Sequence, residues 1–170
     1  MPKVTKGQMI IGGENMALLN VDHVNPFLIA ATSVLRDFGV EAKVLKPFLR
    51  DAVFEDDALI IVIGVTGEMR GQVMIAFQND VACAIASKMM MMPVTEMNEI
   101  STSAICELGN MILGNSATVF STKGIGIDIT PPAMCEGNVV FSSNYAANVV
   151  IPLALEDGKS IEINVSIKGE

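Results

Sequence analysis

Laid over itself at a shift of 85 residues, the chain matches itself along one segment of each half (25 falls on 110, 39 on 124). Asn25 meets Asn110, Ser33 meets Thr118, Val34 meets Val119, Leu35 meets Phe120, Gly39 meets Gly124, Val40 meets Ile125 and Pro47 meets Pro132. A repeat of this kind restricts the fold to a pseudo-twofold arrangement in which each half is a helix, a strand and then a hairpin. The expected class is α+β, with two long helices lying on one antiparallel sheet.

The helix of the second copy is the more unusual. Successive residues stand about 100° apart around a helix, which gathers Ile105, Leu108, Ile112, Val119 and Phe120 on one side. Opposite them, in a narrow stripe, fall Glu107, Asn110, Gly114, Thr118 and Ser121, because residues three and four apart are surface neighbours. Solvated helix faces ordinarily carry long charged residues. This one carries a carboxylate, an amide and small groups, and Gly109 and Gly114 each cost about 1 kcal/mol relative to Ala in a helix interior. Two readings follow. Either the small residues let another backbone or a ligand approach the polar pair, or the glycines serve tight packing within the domain and the pair is simply exposed.

The remaining elements follow from turn and capping signals. Residues 1–20 form a leader or one early strand, with Met16 as a second candidate start, and 21–170 a single domain. Asn25-Pro26 reads as a helix N-cap followed by proline at the first helical position, giving a helix from Pro26 to about Phe38 that stops at Gly39. On that reading Asp22, which matches Glu107, precedes the first helix, so a single stripe is expected. Glu41 to Leu49 is strand-like; 58–65 and 71–77 form a hairpin. Asn79 or Asp80 opens a helix that Pro93 ends. Asn98 or Ser101 opens the long helix, which runs to about Thr122 and breaks at Gly124. Strands are expected at Ile125 to Thr130, stopped by Pro131-Pro132, and at Asn138 to Ser142, Asn148 to Leu155 and Ser160 to Lys168, the last two joined by an Asp157-Gly158 turn. Ile161, Ile163, Val165 and Ile167 alternate with polar neighbours, so one face of the last strand is buried.

Composition closes off several functions. At 170 residues the chain can bury a sizeable core, and 51% hydrophobic against 18% charged residues argues against disorder. A net charge of −8 leaves no basic footprint for nucleic acid or an anionic membrane. The apolar run around Met89 to Met92 is interrupted by Lys88 and Pro93, far short of the roughly 20 residues of a membrane span. Residues 1–20 have no sustained apolar stretch of a secretory signal, and a cytoplasmic location is expected. Cys83, Cys106 and Cys135 form no C-x-x-C pair and read as reduced thiols, and His23 is the single histidine, too little for a zinc site or a Ser-His-Asp triad. The four methionines suit adaptable core or dimer packing better than copper. Glu55-Asp56-Asp57 suits a solvated turn better than a calcium site; Gly124-Ile125-Gly126 lacks the rest of a dinucleotide fingerprint. Asn115 suits hydrogen bonding to a neighbouring element as well as it suits the site.

Glu107-Leu108-Gly109-Asn110-Met111-Ile112-Leu113-Gly114-Asn115, preceded by Asn98-Glu99-Ile100 and followed by a strand-rich half, resembles the CheC/CheX family of chemotaxis phosphatases. The resemblance is to CheX above all, which keeps a single Glu-x-x-Asn motif. It extends from about Val21 onward, including Asn25-Pro26-Phe27 and the hairpin between Gly67 and Phe77. It implies a CheC-like domain that hydrolyses the aspartyl phosphate of a phosphorylated CheY-type response regulator. Asn110 would orient the attacking water and Glu107 would pair with the regulator's lysine, while Met111, Gly114 and Thr118 would face the partner. The resemblance implies no cofactor of the chain's own, Mg2+ held by the regulator, and a homodimer. A rival reading keeps the fold as a noncatalytic signalling module that binds a regulator, a receptor component or a flagellar protein.

Overall fold

The computed structural model describes residues 8–11, 17–55, 58–141 and 148–169. In chain order these form β1 (Gln8–Ile11), β2 (Ala17–Asn20), α1 (Val21–Asp37), β3 (Lys43–Val44), β4 (Phe48–Leu49), β5 (Val53–Phe54), β6 (Leu59–Gly67), β7 (Met69–Phe77), α2 (Asn79–Met90) and α3 (Glu99–Thr122). There follow β8 (Ile127–Ile129), β9 (Ala133–Glu136), β10 (Val139–Val140), β11 (Val149–Ala154) and β12 (Ser160–Gly169). β1 and β2 pair with each other as a separate antiparallel ribbon. The main sheet is antiparallel, in the order β3, β11, β12, β7, β6, β8, with β4 also on β11 and β9 also on β6.

Pairing registers carry the repeat into three dimensions, with the two halves interleaved. In the first half, Val44 and Phe48 pair with Leu153 and Val150 of the second. Their repeat mates 85 positions on, Ile129 and Ala133, pair with Val65 and Val62 of the first. Phe54 pairs with its own mate, Val139, so the β5–β10 ribbon straddles the pseudo-twofold axis. The expected architecture is thus present: long helices on one antiparallel sheet, with α2 joining the halves.

One face of the sheet is apolar by period-2 alternation. Ile61, Ile63 and Val65 of β6, Val73, Ile75 and Phe77 of β7, Ile151 and Leu153 of β11, and Ile161, Ile163 and Val165 of β12 are buried there. All three helices cover them, and α1 meets α3 through Phe27 and Phe120, whose rings lie edge to face with centroids 5.2 Å apart. Each such side chain contributes about 1.5–3 kcal/mol by leaving water. The other face holds a smaller cluster of Ala52, Phe54, Ala58, Ile60 and Met74. Beside it, the Asn148 amide donates to Asn164 Oδ1 at 3.0 Å and to the Arg50 carbonyl at 3.1 Å.

Several expectations are corrected. α1 starts at Val21, five residues before Pro26, so Asn25 lies within the helix and is not its cap. Burial decides this: Val24 and Phe27 share one face and are both in the core, which extends the helix back through the proline although Pro26 has no N–H for the Asp22 carbonyl. Pro131-Pro132 interrupts the edge strand without ending it, since β9 resumes pairing on β6 at Ala133. Pro93 is not what stops α2; Met91 adopts a left-handed conformation (φ 55°) and its N–H returns to the Ser87 carbonyl. Among the four methionines, Met89 packs on the core while Met91 and Met92 are exposed. Asp56, Asp57, Met16 and residues 142–147 lie outside the described residues.

Candidate functional site

α3 is set by its N-terminus. Asn98 Oδ1 accepts from the N–H groups of Ile100 and Ser101, both at 3.0 Å, and Ser101 Oγ accepts from the Asn98 N–H at 2.7 Å. This reciprocal capping box satisfies donors that a helix start otherwise leaves open. From that anchor the helix turns Ile105, Leu108, Ile112 and Phe120 into the core, with Val119 half-buried. Glu107 is left exposed and Asn110 half-buried on the opposite side. Among the described residues neither side chain has a hydrogen-bond partner, so both remain available to another molecule.

The two stand in an open cleft of about 590 Å³. One wall is α3, through Thr102, Ser103, Cys106, Glu107 and Asn110; the other is the crossover from β8 to β9, Ile129 to Pro132. Thr102, Ser103 and Cys106 were legible only as residues one turn before the motif on the same helix. The Thr130-Pro131-Pro132 wall could be read from sequence as a strand stop, and nothing local pointed to the cleft. Partial burial raises the Cys106 thiol pKa from its ordinary value of 9.0 by desolvation, which keeps the thiol neutral in the cleft.

The two glycines divide between the two readings offered above. A Cβ on Gly109 would lie 3.0 Å from Ile61 Cγ2 and 3.3 Å from its Cδ1, so this glycine lets α3 settle on β6. A Cβ on Gly114 would meet nothing within 4 Å. Gly114 and exposed Thr118 continue the stripe beyond the cleft, and Thr118 Oγ1 donates to the Gly114 carbonyl at 3.3 Å. Met111 is half-buried and packs against the core. The cleft therefore brings together Glu107 and Asn110 but not Met111, Gly114 or Thr118. Among the described residues no group of three His, Cys, Asp or Glu side chains could hold a metal, and no helix is long and apolar enough to cross a membrane.

In the first copy the helix side of the cleft is cut short. Asp22 and Asn25 occupy helix positions three apart, as Glu107 and Asn110 do, but Asp22 is the second residue of α1 whereas eight residues of α3 precede Glu107 (99 to 106). The positions matching Thr102 and Ser103 are Ala17 and Leu18 of β2, a strand.

The family model for chemotaxis phosphatase CheX matches residues 59–154, more than half of the chain. The chain belongs to the CheX family. The matched span contains all of α3 and the Thr130 to Pro132 crossover. Among relatives, the CheY-P phosphatase CheX of Thermotoga maritima is 29% identical over 147 residues, which cover 85% of this chain and 95% of that protein. A CheC-like superfamily protein from Shewanella sp. PV-4 superposes with a TM-score of 0.78 at 27% identity, over 89% of this chain and all of that one. CheX of Borrelia burgdorferi, solved as a complex with CheY, BeF3 and Mg2+, superposes with a TM-score of 0.68 at 29% identity, over 85% of this chain and 97% of that one. The CheC-like α+β fold of the present chain agrees with both solved structures.

Proposed function

We propose that this CheX-family chain hydrolyses the aspartyl phosphate of a CheY-type response regulator. The observation that carries the reading is the pair Glu107 and Asn110, three residues apart, without partners among the described residues, and standing together in a cleft open to a second protein. Their spacing places the two side chains within about 5–6 Å on one helix face, close enough to enter one partner cleft together.

The chemistry asks little of the chain itself. Phosphoryl transfer depends chiefly on positioning and charge stabilisation. The Asn110 amide has both donor and acceptor atoms, so it can hold a water in line with the phosphorus without changing its own charge. That water oxygen bonds to phosphorus as the bond from phosphorus to the regulator's aspartate oxygen breaks, releasing inorganic phosphate and a free carboxylate. Glu107 pairs with the lysine of the regulator's site and fixes the approach. Mg2+ belongs to the regulator in this scheme, in keeping with the composition of the Borrelia complex. Gly114 and Thr118 serve as the docking surface beyond the cleft, with Met111 at its border. A cytoplasmic setting and a homodimer complete the reading by resemblance to the family.

Phosphate release from phosphorylated CheY-type regulators, with wild type, Asn110→Ala and Glu107→Ala, tests it. Wild type should accelerate release, and Asn110→Ala, folded by circular dichroism, should lose on the order of 100-fold in kcat. Regulator binding without faster phosphate loss would sink the phosphatase reading and leave a noncatalytic binding module.

A further inference from the structure

β8 and β9 are one edge strand split by a crossover, and the split has a built anchor. The Gly64 N–H donates to Thr130 Oγ1 at 2.8 Å, and the Thr130 N–H donates back to the Gly64 carbonyl at 3.0 Å. The side chain lies so close that a Cβ on Gly64 would stand 2.9 Å from Thr130 Cγ2. Pro131 and Pro132 then continue as the cleft wall facing α3, with restricted φ and no N–H to rejoin the sheet.

The repeat supplies an internal control. In the other half the same crossover, between β3 and β4, is Leu45-Lys46-Pro47, and the Leu45 N–H donates to the Pro152 carbonyl at 2.9 Å. Pro47 and Pro132 are therefore the shared, structural part, which keeps an exposed edge from pairing onward. Pro152 has no N–H, so a hydroxyl at position 45 would have nothing to accept from it. The hydroxyl anchor and the extra proline occur only in the half whose helix carries Glu107 and Asn110.

We propose that Thr130 and Pro131 are positioning residues of the phosphatase site, forming a rigid second jaw that sets the angle at which the regulator's phosphorylated loop meets Asn110. This rests on the phosphatase reading above. A jaw that orients a loop acts on turnover more than on binding, because misplacement of about 1 Å can cost on the order of 100-fold in rate.

The test compares wild type with Thr130→Val, Thr130→Ser, Pro131→Ala and, at the matching position of the other half, Lys46→Ala. Turnover is measured by phosphate release, Kd against the beryllofluoride-charged regulator, and folding by circular dichroism. Thr130→Val and Pro131→Ala should each lower kcat about tenfold or more, with Kd changed less than about threefold. Thr130→Ser keeps the acceptor oxygen and should restore most of the rate; Lys46→Ala should turn over like wild type. Wild-type kcat in folded Thr130→Val and Pro131→Ala overturns the jaw and leaves the phosphatase intact. A weaker Kd with unchanged kcat also overturns it, in favour of a simple docking contact. Should Thr130→Val fail to fold, Pro131→Ala decides alone, since it removes no hydrogen bond. A wild type that accelerates no regulator's phosphate loss sinks the jaw and the phosphatase reading together.

Discussion

Gly109→Ala and Gly114→Ala are the same substitution on one helix, five residues apart, and should move stability in opposite directions. Both gain about 1 kcal/mol from replacing glycine inside a helix. At Gly114 nothing opposes the gain, because the new methyl meets no atom within 4 Å. At Gly109 it would press on Ile61 at 3.0 and 3.3 Å, backed by Ile63, whose Cδ1 lies at an ordinary contact distance of 3.5 Å. Both are buried, β-branched residues on a central strand, with little rotamer freedom to yield. Overpacking of this kind costs about 1–3 kcal/mol, so it outweighs the propensity gain and leaves a net loss of about 1 kcal/mol. For a chain of this size, 1 kcal/mol shifts Tm by about 2–4 °C. Thermal unfolding followed by circular dichroism should then place Gly114→Ala above wild type by that amount and Gly109→Ala below it. Activity separates a second consequence. If a partner lies along the stripe, the methyl at Gly114 stands in its path, and a misfit of about 1 kcal/mol raises KM about fivefold. Gly114→Ala would then be the more stable and poorer enzyme. A destabilised Gly114→Ala, or a Gly109→Ala as stable as it, would refute the packing argument; a stabilised Gly114→Ala with unchanged KM would remove Gly114 from the docking surface.

Asn98→Ala removes the acceptor for two N–H groups at the start of α3 and should cost about 1 kcal/mol, read as a loss of about 2–4 °C in Tm. Cys106 lines the cleft, so alkylating it should block phosphate release without unfolding the chain, and Cys106→Ser should be protected. Its raised pKa favours the neutral thiol in the folded chain, a stabilisation present below the ordinary value and lost as pH rises through the folded one; labelling at pH 8 should be slower than for the unfolded chain. Asn148 Oδ1 and Asn164 Nδ2 are buried without partners. Asn164→Met alone strands an Asn148 N–H and should cost about 1–3 kcal/mol in chemical unfolding, whereas replacing both residues together, Asn148→Ile with Asn164→Met, removes that donor and should cost less, its remaining loss being the bond to the Arg50 carbonyl.

What could be read in advance was what local chemistry decides. Asn98 and Ser101 are a capping box by residue type, and Gly124 is a left-handed terminator (φ 78°), so both ends of α3 were legible. The β6–β7 hairpin announced itself through a continuous β-branched run, a turn and a second apolar run, and Glu107 and Asn110 through their spacing. The start of α1 was not legible, because Asn25-Pro26 satisfies every local rule for a cap and only the burial of Val24 overrules it. The cleft wall was invisible for a related reason. Pro131-Pro132 looks like an end until β6 is known to offer Val62 and Leu59 to Ala133 and Glu136 on the far side. The match of Pro47 to Pro132 was the one signal that both crossovers share a role, and it needed the registers to be understood.

The interleaving of the halves bears on how the chain comes together. β12 lies between β11 and β7 in the middle of the sheet, yet it is among the later strands to be synthesised. While the first half waits, β6 and β7 present unpaired edges of strongly apolar strands, the condition in which nascent chains recruit chaperones or aggregate. Pairings this distant in sequence also slow folding, since loop closure precedes any reward. The same registers would be satisfied if two chains traded halves, each lending its β8 and β9 to the other's β6. Protein concentration during refolding, more than any single contact, would then determine how many polypeptides share one sheet.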